Sequence, residues 1–135
     1  MSIYQSEKLA ILATQVMKEH SKEFKELLEG EYSIVFLESN QTKKDKGRVV
    51  HADCALIADN YKWCCPYDFK ITFYNPNIEG MDENQLKILM WHELKHCGTD
   101  KDKPYIKDHD YYYADFKEIV DTYGTNWSTP KVQGE

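Results

Sequence analysis

Apolar residues recur every three to four positions between Ser6 and Glu29. Leu9, Leu12, Val16, Phe24, Leu27 and Leu28 share one face of a 3.6-residue period, which predicts an amphipathic helix. Ser6 is placed to cap its start and Gly30 to stop it. The run Tyr32-Ser33-Ile34-Val35-Phe36-Leu37 is dense in β-branched and aromatic residues and predicts a strand. A polar loop from Glu38 to Gly47 follows. Arg48 to Ala58 predicts one or two further strands, with Val49, Val50, Leu56 and Ile57 as apolar members. Residues 61–68 read as irregular, since Pro66 breaks regular structure. Phe69 to Tyr74 then alternates apolar and polar, the period of a half-exposed strand, and Asn75-Pro76-Asn77 ends it.

Asp82 reads as a helix N-cap, with Gln85 three residues on as its capping-box partner. Leu86, Leu89, Met90 and Leu94 make the apolar stripe of that helix, and Gly98 lies just past its end. Residues 99–107 are polar and loop-like. Asp108 or His109 opens a last helix with the stripe Tyr112, Phe116, Ile119, Val120 and Tyr123, ended by Gly124. Three main helices and a small, mostly antiparallel sheet make an α+β domain over residues 1–127, with 128–135 as a flexible tail.

Composition narrows the function. At 135 residues the chain suits one domain, and ten Tyr help fill a modest core. A net charge of −6 speaks against binding nucleic acid or an anionic membrane. The basic run Lys43 to Arg48 fits a solvated loop. No apolar stretch near Met1 resembles a secretory signal, and no segment has transmembrane length. The four cysteines, Cys54, Cys64, Cys65 and Cys97, are therefore expected as free thiols in a cytoplasm.

The chemistry concentrates in His92-Glu93-Leu94-Lys95-His96. On a helix, positions i and i+4 share a face, so both imidazoles can grip one Zn²⁺. Glu93 is then the catalytic base that holds a water against the metal. A catalytic zinc needs a third protein ligand. His109 is the leading candidate, thirteen residues after His96, with Asp110, Asp115 and Glu118 as carboxylate alternatives. If Phe116 is core, a helix carrying both residues points His109 inward as well. Thr99 and Asp102 stand where the metzincin pattern needs Gly and His, which excludes that class. Cys97 as a fourth ligand would close the site into a structural one, but it points about 100° around the helix from His96.

Asp110 is a candidate to orient a zinc-bound imidazole. Oxyanion donors are sought among Tyr105, Tyr111, Tyr112 and Tyr113. If the strand Phe69 to Tyr74 lies at a sheet edge above the site, its free backbone could take an extended peptide.

Together these segments resemble a known family. Tyr67-Asp68-Phe69, Trp91 to Gly98, His109-Asp110, Asp115-Phe116 and Tyr123-Gly124-Thr125-Asn126-Trp127 resemble the putative phage metallopeptidases, small SprT-like zincins of phages and prophages. The resemblance spans nearly the whole chain. It implies a minimal zincin-like α+β fold, with His92, His96 and His109 holding one zinc and Glu93 as the catalytic residue. The family's usual spacing H-D-V-x-D-F is stretched here, where Asp115 falls one or two residues further on. The expected function is zinc-dependent hydrolysis of a peptide or protein substrate. The alternative is an interaction protein that keeps the scaffold and the metal without cleaving.

Overall fold

The structure is a computed structural model that describes residues 2–110 and 115–128. In chain order it runs β1 (Ile3–Gln5), α1 (Glu7–Glu19), α2 (Lys25–Leu28), β2 (Ile34–Ser39), β3 (Lys44–Asp45) and β4 (Arg48–Val49). Then come β5 (Ala52–Leu56), a short 3₁₀ turn at Asp59–Tyr61, β6 (Phe69–Tyr74), α3 (Asn75–Ile78) and α4 (Glu83–Lys95). The chain closes with β7 (Cys97–Gly98), β8 (Tyr105–Ile106) and α5 (Lys117–Tyr123). This is an α+β domain in which three helices reach seven residues or more. The expected tail, 128–135, lies outside the described residues but for Ser128.

The main sheet has the order β1-β2-β6-β5 and is mixed. β5 runs antiparallel on β6, so β6 resumes the direction of β2 and pairs with it in parallel. β6 is thus flanked on both sides, and the expectation of a free peptide-binding edge along Phe69 to Tyr74 is corrected. The open edge on that side belongs to β5. The alternation in β6 holds in part: Phe69, Ile71 and Phe73 are fully buried and Lys70 points out to solvent, but Thr72, on the face of Lys70, is buried as well because the strand lies inside the sheet. Those three side chains join Leu9, Ala13 and Val16 of α1 and Leu89, Met90 and Leu94 of α4 in one core.

The first helix does not run unbroken from Ser6 to Glu29. Ser6 caps it as expected, accepting from the Leu9 amide, but α1 ends at Glu19. His20 leaves helical geometry and stacks its ring on Trp91 at 4.1 Å. The turn that follows buries Phe24 and brings Glu23 to the Trp91 Nε1 (3.0 Å) and the Lys95 Nζ (2.6 Å). Neither Gly nor Pro marks this break, because contacts with α4 make it.

α4 has the predicted start. The Asp82 carboxylate accepts from the Gln85 amide (2.8 Å) and the Gln85 side chain accepts from the Asp82 amide (3.0 Å). Gly98 is not its terminator. The helix ends at Lys95 with His96 as its cap residue, and position 98 in β7 is Gly because a Cβ there would lie 2.5 Å from the Tyr105 ring across the β7–β8 pair. Residues 99–107, expected as loop throughout, therefore contain β8.

The last helix starts later than its apolar period implies. α5 begins at Lys117 with Phe116 as N-cap residue, and Gly124 (φ +85°) stops it. His109 and Asp110 lie before it in non-helical backbone. The chain there folds back on itself, with the Asp110 amide donating to the Asp115 carbonyl at 3.0 Å. Among the described residues, no helix is long and apolar enough to cross a membrane.

The burial pattern of β6 yields a direct prediction. Ile71→Ala should cost about 2–5 kcal/mol in urea unfolding, as for other fully buried aliphatic side chains. Lys70→Ala, one residue away on the opposite face, should stay within about 0.5 kcal/mol. Equal losses at both positions would contradict the register.

Candidate metal centre

Three imidazoles meet beside the C-terminal turn of α4. His92 and His96 come from successive turns of the same helix face, and His109 comes from the segment before α5. One ring nitrogen from each lies within 4.8 Å of the other two. The Nε2 atoms of His92 and His109 are 3.0 Å apart. His109 therefore reaches the pair as anticipated, but by a folded loop and not from a helix start. Phe116 is buried, and its ring packs against all three imidazoles at centroid distances of 5.0 to 5.4 Å.

The remaining nitrogens fix the tautomers. His92 Nδ1 lies 2.6 Å from Asp115 Oδ1, and His96 Nδ1 lies 2.6 Å from the Lys107 carbonyl. A carbonyl only accepts, and so does an ionised carboxylate, so each Nδ1 carries the proton and donates it. In a neutral ring the Nε2 atom then carries the lone pair. At 3.0 Å from the His109 Nε2, the His92 lone pair demands a proton or a cation. That donor set, with its protons held on the far side of two rings, is the one a transition-metal ion takes.

Asp115 is the residue that holds His92, a role assigned on sequence grounds to Asp110. Burial pushes the Asp115 carboxyl up, but hydrogen bonds from His92, the Trp127 indole and the Phe116 amide outweigh it and hold it below the usual range. Asp110 works elsewhere, accepting from the Lys117 amide at the start of α5 (2.6 Å). The Asp115 contact depends on the 110–115 fold-back, which leaves no periodic trace in the sequence.

Glu93, between the two helix histidines in sequence, is buried beside them. Burial pushes its carboxyl up to about 7, against the pull of His92. It lines a cavity of about 440 Å³ together with His51, Ala52, Leu89, His92, His109 and Trp127.

Other candidates fall away from this cluster. Glu118 lies with His20 and Glu23, where the Lys95 ammonium already sits 2.6 Å from Glu23 and 3.7 Å from Glu118. Cys97 turns into the core, its Sγ 3.6 Å from that of Cys54, and burial raises its thiol pKa well above the ordinary value. Both remain free thiols, as do Cys64 and Cys65. Tyr105 donates its hydroxyl to Asp100 and lays its ring against Gly98. Tyr111, Tyr112 and Tyr113 lie outside the described residues.

Burial also pushes the His96 imidazole down to about 4, only partly opposed by its bond to the Lys107 carbonyl. The sign follows from linkage. An unfolded His protonates near about 6.5, whereas the folded one resists until about 4. Metal-free protein should therefore lose stability as pH falls from about 6.5 toward about 4. An NMR titration of metal-free protein should place the His96 midpoint near 4. A midpoint near about 6.5 would contradict the burial of this ring.

A family model described as putative phage metallopeptidase matches residues 1–133 of the chain. No curated protein and no solved structure shows a significant match.

Proposed function

The chain belongs to the putative phage metallopeptidase family, and from that premise we propose that it is a zinc-dependent peptidase with His92, His96 and His109 as metal ligands and Glu93 as general base. The observation that carries this reading is the convergence of three imidazole nitrogens next to a buried carboxylate that opens onto a cavity. The spacing fits the ion. Tetrahedral zinc with bonds of about 2.0–2.1 Å to nitrogen sets its ligands about 3.3 Å apart. The His92–His109 separation of 3.0 Å is close to that spacing, and the nitrogen of His96 lies within 4.8 Å of both. Three neutral nitrogen ligands leave a fourth position for chemistry, the arrangement of catalytic and not structural zinc.

When bound, zinc supplies Lewis acidity that brings a water pKa toward about 7 and polarises a peptide carbonyl. Everything else falls to the chain. Glu93 accepts the proton of the attacking water and returns it to the leaving amine. Its raised affinity for protons, near neutrality in the buried setting, suits both transfers. Asp115 holds His92 in the Nδ1–H tautomer, and the Lys107 carbonyl does the same for His96. The substrate is a peptide or protein. Its extended backbone would pair with the open edge of β5, whose first residue, Ala52, lines the same cavity as Glu93. Free thiols throughout are in keeping with action in the reducing cytoplasm of a host cell.

Cleavage of a denatured protein substrate, followed by mass spectrometry, tests the reading. Chelation should abolish cleavage and zinc should restore it. Glu93→Gln should lower the rate by about 10²–10⁴, the span of general-base contributions, while zinc stays bound. A Glu93→Gln protein that binds zinc and cleaves at the wild-type rate would refute the assignment. A zinc-loaded wild type that cleaves nothing, with a biological effect untouched by Glu93→Gln, would favour the non-cleaving interaction protein.

A further inference from the structure

We propose that Trp127 is a positioning residue for the metal centre, fixing Asp115 against His92 from the C-terminal turn of the chain. The inference rests on the metal reading above. Its basis is a closed circuit of bonds that begins and ends on α4. At the start of the helix, the Gln85 side chain serves two partners. Its oxygen accepts from the Asp82 amide (3.0 Å), completing the cap. Its Nε2 donates to the Trp127 carbonyl (2.9 Å). The Trp127 indole Nε1 then donates to Asp115 Oδ2 (2.7 Å). Asp115 Oδ1 accepts from its neighbour's amide, that of Phe116 (2.6 Å), and from His92 Nδ1 (2.6 Å). His92 lies two turns further along the helix from Gln85.

The geometry explains why the indole matters. A carboxylate held at one oxygen only can swing about its Cβ–Cγ bond. The Trp127 N–H takes the second oxygen, so the plane of Asp115 and hence the direction of the His92 ring are set. Asp115 and His92 are largely buried, with side chains 12% exposed each, so water is a poor substitute for the lost donor. The indole also lies beside the His92 ring, at a centroid distance of 5.8 Å. A residue far along the chain from the H-E-x-x-H helix thereby controls the aim of its first ligand.

The test is zinc affinity by chelator competition, paired with the visible spectrum of the Co²⁺-loaded protein. Trp127→Phe keeps a ring in place and removes the donor. It should weaken zinc binding about tenfold, within the 10–100-fold range for partners of metal ligands, and should alter the Co²⁺ bands. Asp115→Asn should weaken binding at least as much. In that background Trp127→Phe should add little, because both act through one contact. Replacing Trp127 with benzothienylalanine, which keeps the two-ring shape and lacks only the N–H, should reproduce the Trp127→Phe loss even if the smaller ring compromises folding.

A purely structural role would lower the melting temperature of metal-free protein and leave the affinity and the spectrum of folded molecules unchanged. Zinc affinity within twofold of wild type in both Trp127 variants, or fully additive losses with Asp115→Asn, would overturn the proposal. If the wild type binds zinc and loses it on His109→Ala while Trp127 proves indifferent, only this inference falls. If the wild type binds no zinc, the reading of the site falls first.

Discussion

The site depends on the burial of the last two turns of α4. Ile88, Leu89, Met90, Trp91, Glu93, Leu94 and Lys95 are all buried, so this part of the helix has almost no solvent face to rotate toward. α1 packs along one side and β5 along another. Two polar anchors fix its axial position: the capping box at Asp82, and Glu23, which takes both the Trp91 indole and the Lys95 ammonium. Once the rotation and height of α4 are set, His92 and His96 point toward Lys107, His109, Asp115 and Phe116. Close packing transmits that constraint, since an interior at crystal-like density has two discrete answers or one, not a continuum.

The same burial creates the electrostatic character of the centre. Glu93 is kept out of water and favours its protonated form, and His96 is kept out of water and favours its neutral form. Both preferences are costs in a metal-free protein. Neutral imidazoles are the species that ligate a metal ion, so under the proposed function the preference of His96 favours binding. Functional sites commonly hold groups in such locally unfavourable states, supported by the packing around them.

Strong local signals carried the parts of the fold that were legible in the sequence. The Asp82–Gln85 box and the alternation of Phe69 to Tyr74 define their elements by covalent-scale rules, and both elements appear at the expected residues. The H-E-x-x-H spacing needed only a helix beneath it to bring two imidazoles to one face. Long-range contacts decided the rest. The break after Glu19 exists because His20, Glu23 and Phe24 find partners on α4 and in the core, and no local residue announces it. The apolar period around Phe116 extends the expected helix back to His109, where the backbone is non-helical and Asp110 is bridged to Asp115. That bridge turns Asp115, not Asp110, toward His92, and Trp127, which the sequence offers as the end of a family motif without a role, becomes a further partner of the same carboxylate.

The proposed function requires that three histidines, two from α4 and one from the segment before α5, hold a single metal ion. Elemental analysis of protein purified without chelator, on wild type and His109→Ala side by side, tests it most directly. A single three-histidine site should hold about one zinc per chain in the wild type and lose most of it in the variant. A wild type without zinc, or a variant that keeps its full complement, would contradict it.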